Sequence, residues 1–379
     1  MKKKTLVVIG IFGIFLLVQP ASAQTWEDTK RLTWTSGNSF APSVAIDSND
    51  YIHVIWNDIT PGNSELYYRK STNGGTSWSM KRLTWTAGVT SRPALTIDSN
   101  NHIHTIWQDD TSGNQELYYK RSTNGGASWT TKRLTWNSGE SSYPDIVVDS
   151  NNHIYIVWKD DTSGNHEIYY KKSTNGGTSW TTKRLTWTSE YSGGPRIAKD
   201  SYNHIHVVRY DSTPAKPEIY YKKSTNGGTS WTTKRLTWNP GSSYYPDIAA
   251  DTNNHIHVVW YDSTPGDSEI YYKRSTNGGT SWSQQRLTWL PDSSYNPSIA
   301  TDSNNNIHVV WNEENPGNCE IYYMRSTNGG TGWTTKRLTF NSGRSDKPKI
   351  AADSSNRIYV VWSDFSPGNR EIYLRKGIQ

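Results

Sequence analysis

The chain has 379 residues, a formal net charge of +6 and 13% aromatic residues. Its basic residues are spread along the whole sequence, which argues against a protein that binds nucleic acid through a basic patch. Cys319 is the single cysteine, so an intramolecular disulfide is excluded and packing must supply the stability.

The N-terminus has the pattern of a secretory signal. Lysines at positions 2–4 precede an apolar run at 6–18, and small residues follow at 21–23. The run is shorter than the ~20 residues that a membrane span needs. We therefore expect a signal peptide at 1–23, one domain at 24–379 and no transmembrane segment after cleavage. The mature chain, with a charge of about +3, would be secreted, periplasmic or on the cell surface.

Internal repetition is the dominant feature of the sequence. The segment STNGGTSW begins at Ser71 and recurs five more times, with small changes, at intervals of 51 residues. The segment RLTW ends at Trp34 and has six later copies, the last ending in Phe340. The repeats account for nearly all of the 19 tryptophans, so the aromatic content is first of all architectural.

Each repeat is predicted to contain four short strands. In the third repeat these are about 145–149, 153–158, 167–173 and 182–187, each rich in β-branched and aromatic residues. The turns between them read DSNN and NGGTS, which are typical of tight turns. No segment shows helical periodicity. Radial closure suits such units best, because it leaves only short outer edges. We predict an all-β, seven-bladed propeller with four antiparallel strands per blade.

The two ends of the mature sequence predict how the ring closes. It begins with an outer strand at about 29–34 and ends with the first three strands of a last blade at about 349–376. The missing fourth strand of that blade is the one left over at the N-terminus. The N-terminal strand should therefore complete the last blade.

The recurring STNGGTSW segment resembles the Asp-box (BNR) repeat, S-x-D-x-G-x-T-W, of sialidases and related propellers, with Asn in place of Asp. The resemblance implies that the box forms the hairpin between the third and outer strands, on the face away from the active site, and is structural. Asn can accept the same backbone hydrogen bonds as Asp. The structural box residues are Ser71, Asn73, Gly75, Trp78, Ser122, Asn124, Trp129, Ser173, Asn175, Trp180, Ser224, Asn226, Trp231, Ser275, Asn277, Trp282, Ser326, Asn328 and Trp333.

The catalytic residues of sialidases are not matched. That family binds the substrate carboxylate with three arginines and uses a Tyr–Glu pair and an Asp. Here no Arg-Ile-Pro segment opens the first blade, and the recurring arginines such as Arg31 lie in outer strands. Arg92, Arg196 and Arg209 are not repeated, but no motif assigns them a role. Seven similar pockets also argue against a single catalytic centre with two carboxylates.

Metal and cofactor sites are not predicted either. The DSNN turns lack the pattern of a calcium loop, so a turn cap is the expected role of Asp47 and its equivalents. The recurring strand histidines, such as His53, are replaced by Tyr155 and Tyr359 in two repeats. Tyrosine does not readily replace a histidine ligand, which favours a packing role.

Two links of each repeat should share the face opposite the boxes, and both carry aromatic and polar residues. They read WTSGNSFAP at 34–42 and WKDDTSGNHE at 158–167. Aromatic rings beside carboxylates and amides suit sugars, and seven weak sites would add through avidity. The predicted ligand-binding residues are Trp56, Asp58, Trp107, Asp109, Trp158, Asp160, Arg209, Asp211, Trp260, Asp262, Trp311, Glu313, Trp362 and Asp364. Packing of these tryptophans between blades, with the carboxylates as turn caps, is the open alternative; the same holds for Glu65 and its equivalents.

Blade four departs most from the repeat. Arg209 replaces the rim tryptophan, and the segment GGPR ends at Arg196. A cationic, glycine-rich patch could be a site for an acidic glycan or partner, and drift among repeats is the alternative. Three functions remain open: a monomeric, lectin-like propeller that binds glycans without catalysis, a sialidase-like glycoside hydrolase, and a scaffold that binds extracellular proteins.

Overall fold

The computed structural model describes residues 24–213, 215–289, 291–315, 318–366 and 368–378. Within these residues the chain forms seven antiparallel sheets and no helix. The first strands of neighbouring sheets contact one another in sequence, and the last contacts the first. The predicted seven-bladed propeller is therefore confirmed. The predicted signal peptide, residues 1–23, lies outside the described residues.

Each blade runs outward from a first strand at the central axis. The first strands are Ser39–Ile46, Thr90–Ile97, Ser141–Val148, Ser192–Lys199, Ser243–Ala250, Ser294–Thr301 and Ser345–Ala352. The second strands are Ile52–Asp58, Ile103–Asp109, Ile154–Asp160, Ile205–Asp211, Ile256–Asp262, Ile307–Asn315 and Ile358–Asp364. The third strands are Glu65–Ser71, Glu116–Ser122, Glu167–Ser173, Glu218–Ser224, Glu269–Ser275, Asn318–Ser326 and Glu371–Ile378. The outer strands are Ser79–Arg82, Thr130–Arg133, Thr181–Arg184, Thr232–Arg235, Ser283–Arg286, Thr334–Arg337 and, for the last blade, Thr25–Trp26 with Lys30–Arg31.

Several strand boundaries differ from the prediction by one to four residues, and the two largest shifts have a physical reason. The first strand of the third blade begins at Ser141, four residues early, because a β-bulge between Ser142 and Asp145 accommodates a proline. The outer strand ends at Arg184, three residues early. Leu185 turns into the core there, and Trp187 leaves the sheet.

The N-terminal segment closes the ring as predicted. Thr25 pairs with Ile378 and Arg31 with Tyr373, both antiparallel. Leu32, 1% exposed, packs in a core cluster that also contains Ile372 of the last blade and Trp56 of the first. Backbone hydrogen bonds and apolar packing therefore join the two ends of the described chain.

The box residues hold the hairpin between the third and outer strands. The amide of Gly75 donates to Ser71 Oγ at 2.8 Å, and the Trp78 indole donates to the Gly75 carbonyl at 3.1 Å. Each box tryptophan also contacts the preceding blade: Trp129 meets the Tyr68 ring edge-on at 5.3 Å. The boxes thus join neighbouring blades as well as their own hairpins.

The strand histidines are buried in hydrogen-bonded chains. His53 lies between the Tyr68 hydroxyl, 2.8 Å from Nδ1, and Asp47 Oδ2, 3.2 Å from Nε2. Burial lowers the pKa of His53, against the opposing effect of Asp47. Asp47 Oδ1 also accepts the amides of Asn49 and Tyr51, so it caps the turn. In blade three, Tyr155 replaces the histidine and donates directly to its aspartate. The strand histidines and tyrosines therefore pack in the interior and the aspartates cap the turns, as expected.

The strand ends define two faces. Ile52 pairs with Ser71 at one end of the first blade, and Asp58 pairs with Glu65 at the other. The box face carries the box hairpins and the DSNN-type turns. The link face carries the second-to-third links, such as 59–64, and the outer-to-first links, such as 85–89. Asn63 joins these two links through bonds to the carbonyls of Thr86 and Gly88. No helix in the described residues is long and apolar enough to cross a membrane.

Candidate functional site

The fourteen predicted ligand-binding residues lie in the interior, not on an exposed rim. Trp56 and Asp58 are 0% exposed, and Arg209, the most exposed of the set, reaches only 4%. The same burial applies to the other members of the set: Trp107, Asp109, Trp158, Asp160, Asp211, Trp260, Asp262, Trp311, Glu313, Trp362 and Asp364. The predicted placement is therefore corrected, and the structure favours the packing alternative.

Packing explains why these residues recur. Trp56 stacks on Tyr67 of the next strand, with ring centroids 5.9 Å apart. Asp58 accepts the Ser39 hydroxyl at 2.7 Å and the Thr60 amide at 2.8 Å, which fixes the start of the first strand and the following link. The tryptophan and carboxylate are thus parts of the blade itself.

The glutamates that start the third strands are structural too. Glu65 is 0% exposed and accepts Arg82 Nη2 at 2.9 Å and the Thr86 amide at 2.8 Å. Equivalent Arg–Glu pairs occur in all seven blades, at 2.6–3.0 Å. Each pair anchors an outer strand to a third strand.

The exposed aromatic residues of the link face are instead those of the RLTW segments. Trp85 is 70% exposed, and Arg82 holds it from one side, with the guanidinium carbon 5.3 Å from the ring centroid. The seven rings, here called the aromatic ring set, are Trp34, Trp85, Trp136, Trp187, Trp238, Trp289 and Phe340. Our sequence-based choice of binding residues omitted these seven rings. The sequence did contain a signal for them, because each ring stands at the start of a polar link.

A central cavity of about 300 Å³ opens where the seven first strands meet. Its lining comes from the bulged part of each strand, close to the link face, since Ser39 at the strand start pairs with Asp58. All seven blades contribute residues. Sequence reasoning missed this cavity, because the residues that line it are about 51 positions apart.

The residues that flank an invariant proline in the first strands differ between most blades, and all of them except Gly194 line the cavity. The residues before the proline are Ala41, Arg92, Tyr143, Gly194, Tyr245, Asn296 and Lys347. The residues after it are Ser43, Ala94, Asp145, Arg196, Asp247, Ser298 and Lys349. Every residue before the proline has a positive φ of 44–56°, so the backbone is the same whatever the side chain. A nearly seven-fold scaffold thus carries an asymmetric cavity.

Burial and neighbouring charges both shift pKa values in this cavity. Burial raises the pKa of Asp145, which Arg196 opposes, and burial lowers the pKa of Lys349. Asp145 Oδ2 accepts the Ile197 amide at 2.9 Å. Asp247 likewise accepts an amide of the next blade, that of Ile299, at 3.1 Å. Both carboxylates therefore tie neighbouring first strands together.

Two of the three unrepeated arginines do converge. Arg92 and Arg196 line the central cavity, whereas Arg209 is buried in blade four. Arg209 takes the place of the usual tryptophan, over the Tyr220 ring at 4.9 Å and 2.9 Å from Asp211. The expectation of seven similar pockets is thus corrected for the central cavity, because its lining differs between most blades and only blades three and five contribute the same Tyr and Asp.

Comparisons with known proteins agree with this architecture. Residues 19–186 match a family model described as a BNR repeat-containing family member. A sialidase from Streptococcus pneumoniae superposes with a TM-score of 0.52 at 11% identity, over 91% of this chain and 70% of that one. Part of the chain thus resembles BNR-repeat proteins, and its propeller fold is similar to that of sialidases. None of the curated proteins matches its sequence.

Other solved structures share this propeller fold. An ulvan lyase, described as a polysaccharide lyase and bound to -[GlcA(1-4)Rha3S]-, superposes with a TM-score of 0.64 at 12% identity, over 91% of this chain and 95% of that one. An α-L-arabinanase from Penicillium chrysogenum, in complex with arabinobiose, gives 0.57 at 14% identity, over 76% and 92%. At such identities the likeness concerns the fold, and the fold is one found in carbohydrate-related proteins.

Proposed function

We propose that the chain is a secreted or cell-surface propeller that binds glycans without catalysis, through several weak sites on its link face. The observation that carries this proposal is the aromatic ring set, whose members are 63–72% exposed on that face. Apolar surface gathered on one face of a protein marks an interaction site, because a ligand that covers it removes that surface from water. Sugar rings present apolar CH faces that stack on such rings.

Each ring is held in one orientation, which favours binding. Arg82 covers one side of Trp85 and is itself fixed by the buried Glu65. A fixed ring loses little conformational entropy when a ligand stacks on it. One such contact is weak, but seven on one face can engage a polysaccharide together, with an avidity well above the single affinity.

The fold comparisons support a carbohydrate ligand. The neighbours named above include a lyase and an arabinanase in complex with saccharides. Both cavity carboxylates accept a backbone amide of the next blade, which gives each a structural role between blades.

A glycan array followed by binding of the full chain to an immobilised polysaccharide tests the proposal. Trp85→Ala should weaken binding a few-fold, and a triple variant that also carries Trp187→Ala and Trp289→Ala by about a hundredfold, because avidity falls with each lost contact. Tyr202→Ala is the control, since Tyr202 is 70% exposed but lies in a turn of the box face. A triple variant that binds like the wild type contradicts the proposal.

A glycoside hydrolase is the second candidate, because the cavity places two acidic side chains, Asp145 and Asp247, in one asymmetric site. It requires turnover of a sialoside or another glycoside that is lost in Asp145→Asn. A protein-binding scaffold requires a stable complex in pull-down and no signal on the glycan array.

A further inference from the structure

The box face carries a repeated pair of side chains that are basic in nearly every blade. One lies near the end of the third strand, just before the box, and the other lies in the outer strand. The first position holds Lys70, Arg121, Lys172, Lys223, Arg274, Arg325 and Lys376. The second position holds Lys81, Lys132, Lys183, Lys234, Gln285, Lys336 and Lys30. All of these residues except Gln285 are basic, and we call the basic ones the basic ring.

Repetition gathers the basic ring in space although its residues are spread along the sequence. Equivalent positions 51 residues apart lie at the same level of successive blades. Lys70 pairs with Ser79, where the box hairpin joins the outer strand. An even spread along a repeat sequence thus produces a basic patch rather than excluding one. Arg209, by contrast, is 4% exposed, so the cationic patch expected around it in blade four does not form at the surface.

The charged ends of the basic ring lie at the box turns of the next blade. Lys172 Nζ donates to the Gly227 carbonyl at 3.1 Å, and the exposed Lys183 donates to the carbonyl of Thr229 in the same turn. Four further blades repeat the first of these bonds at 2.8–3.4 Å. A carbonyl has no net charge, so these bonds hold the cations at the box face without neutralising them.

Few carboxylates compensate the charge of the basic ring. Among the described residues of blades two to six, the acidic side chains of the box hairpins and DSNN-type turns are the turn caps Asp98, Asp149, Asp200, Asp251 and Asp302. These five are 2–6% exposed, and each accepts two turn amides through Oδ1. The last blade differs, since Glu27 lies 2.9 Å from Lys376 and 3.8 Å from Lys30. The exposed part of the face is therefore basic in most blades.

The boxes themselves add no negative charge to this face. Asn73 stands where the Asp-box pattern has aspartate, and the other five boxes also carry asparagine. Asn73 Oδ1 accepts the Ser77 amide at 2.9 Å, as a carboxylate oxygen can, and Nδ2 donates to Ser77 Oγ at 2.8 Å. The neutral amide thus keeps the turn and leaves the neighbouring cations without a carboxylate beside them.

We propose that the box face docks on an anionic lipid surface through the basic ring. A flat surface meets the same level of all seven blades at once, whereas a rod-like polyanion meets only part of a ring. Each basic side chain close to anionic headgroups adds to the binding. Tyr202 and Ile378 are among the few large apolar side chains exposed on this face, so the docking is electrostatic and needs no insertion. The link face then points away from the lipid. The proposal does not depend on glycan binding.

Cosedimentation of residues 24–379 with lipid vesicles tests this proposal. These residues contain all seven blades and exclude the apolar run at 6–18. Vesicles with about one third anionic phospholipid should bind the protein, and neutral vesicles should not. Raising NaCl from about 0.05 M to 0.5 M should weaken binding at least tenfold, because salt screens exposed charges. Equal binding to neutral vesicles, or binding that salt does not affect, overturns the inference.

Removal of charge from either face provides a matched pair of variants. Lys132→Gln combined with Lys183→Gln should weaken vesicle binding about tenfold. Gln285, at the equivalent position of blade five, indicates that the blade accepts glutamine there. Lys216→Gln combined with Arg344→Gln removes the same charge from exposed positions of the link face and should change binding less than about twofold. An equal loss in both variants would assign the effect to net charge and contradict the docking face.

Addition of charge to the boxes gives an independent variant. Asn124→Asp combined with Asn175→Asp introduces two carboxylates beside the basic ring and matches the Asp-box pattern, so the melting temperature should stay the same. Vesicle binding should again fall about tenfold. Unchanged vesicle binding in this folded variant overturns the inference.

Soluble polyanions and the link face supply the last comparisons. At equal anionic charge, polyphosphate and duplex DNA should compete for the protein less well than unlabelled anionic vesicles; equal competition would assign the face to a soluble polymer and overturn the inference. The triple tryptophan variant should bind vesicles like the wild type, because its changes lie on the opposite face. Loss of vesicle binding in that folded variant contradicts the proposed docking, whereas loss of glycan binding alone leaves it supported.

Discussion

The two faces of the propeller differ in how strictly they follow the repeat. On the box face, the hairpin residues and their hydrogen bonds are nearly the same from blade to blade, as at Ser71 and Ser173. On the link face, the cavity lining changes between most blades. Within one chain, the repeated box residues hold blades together, the aromatic ring set is repeated but exposed, and the varied residues line the central cavity. Repetition alone therefore does not tell a structural residue from a candidate binding residue; exposure does, as for the buried Trp56 and the exposed Trp85.

The largest expected effect follows from deletion of residues 24–34, which tests how much the closure of the ring contributes to stability. This removes the outer strand of the last blade and the buried Leu32. Loss of a large buried aliphatic side chain alone costs about 2–5 kcal/mol, and the strand hydrogen bonds are lost as well. We expect the melting temperature in calorimetry to fall by ~10 °C or more. An unchanged melting temperature would show that the ring does not depend on this closure.

A pair of tryptophans from one repeat sharpens the contrast between the faces. Trp129→Ala, on the box face, removes the contact with Tyr68 and should destabilise the fold by on the order of 3 kcal/mol. Trp136→Ala, on the link face, removes a ring that is 66% exposed and should cost less than about 1 kcal/mol. Denaturant titration of both variants measures this difference. Equal losses contradict the assignment of the two tryptophans to different roles.

Arg209→Trp tests whether blade four departs from the repeat for function or by drift. Arg209 is buried with two of its nitrogens unpaired, and burial lowers its pKa. A tryptophan would restore the stacking seen at Trp158, whose indole donates to Asp160 at 3.0 Å. We expect a gain of about 1–2 kcal/mol in the free energy of unfolding and unchanged binding to the immobilised polysaccharide. A loss of stability or of binding would give Arg209 a role beyond the blade interior.

The smallest expected effect concerns acid stability. The folded pKa of His53 lies below its ordinary value because the ring is buried. The neutral histidine therefore contributes stability above about pH 6.5, and this is lost as the pH falls towards the folded pKa. His53→Tyr should abolish this pH dependence, which amounts to at most about 1.4 kcal/mol of unfolding free energy per pH unit. Unfolding at pH 7.5 and 5.5 measures it, and an identical pH dependence in both proteins counts against the assignment. Tyr359, which donates to Asp353 at 2.9 Å, is the natural precedent.

The fold could be predicted from the sequence because its signals are local and repeated. Turn residues, strand periods and the phase of the two ends gave the number of blades and the closure of the ring. The exposure of the tryptophans could not be predicted, since Trp56 and Trp85 both lie at strand ends. Stacking of Trp56 on Tyr67 inside the blade decides between them. The cavity was missed because its residues meet only when seven distant strands converge.

The residue before each first-strand proline has one further consequence. Residues as different as Ala41, Arg92 and Tyr143 all hold a left-handed backbone there, a conformation that costs a non-glycine residue on the order of 1–3 kcal/mol. The rest of the fold offsets this cost in the six blades that carry a non-glycine residue at this position. The side chain at these positions can therefore change while the backbone stays the same. One codon change in a duplicated blade can alter the cavity lining and leave the fold intact.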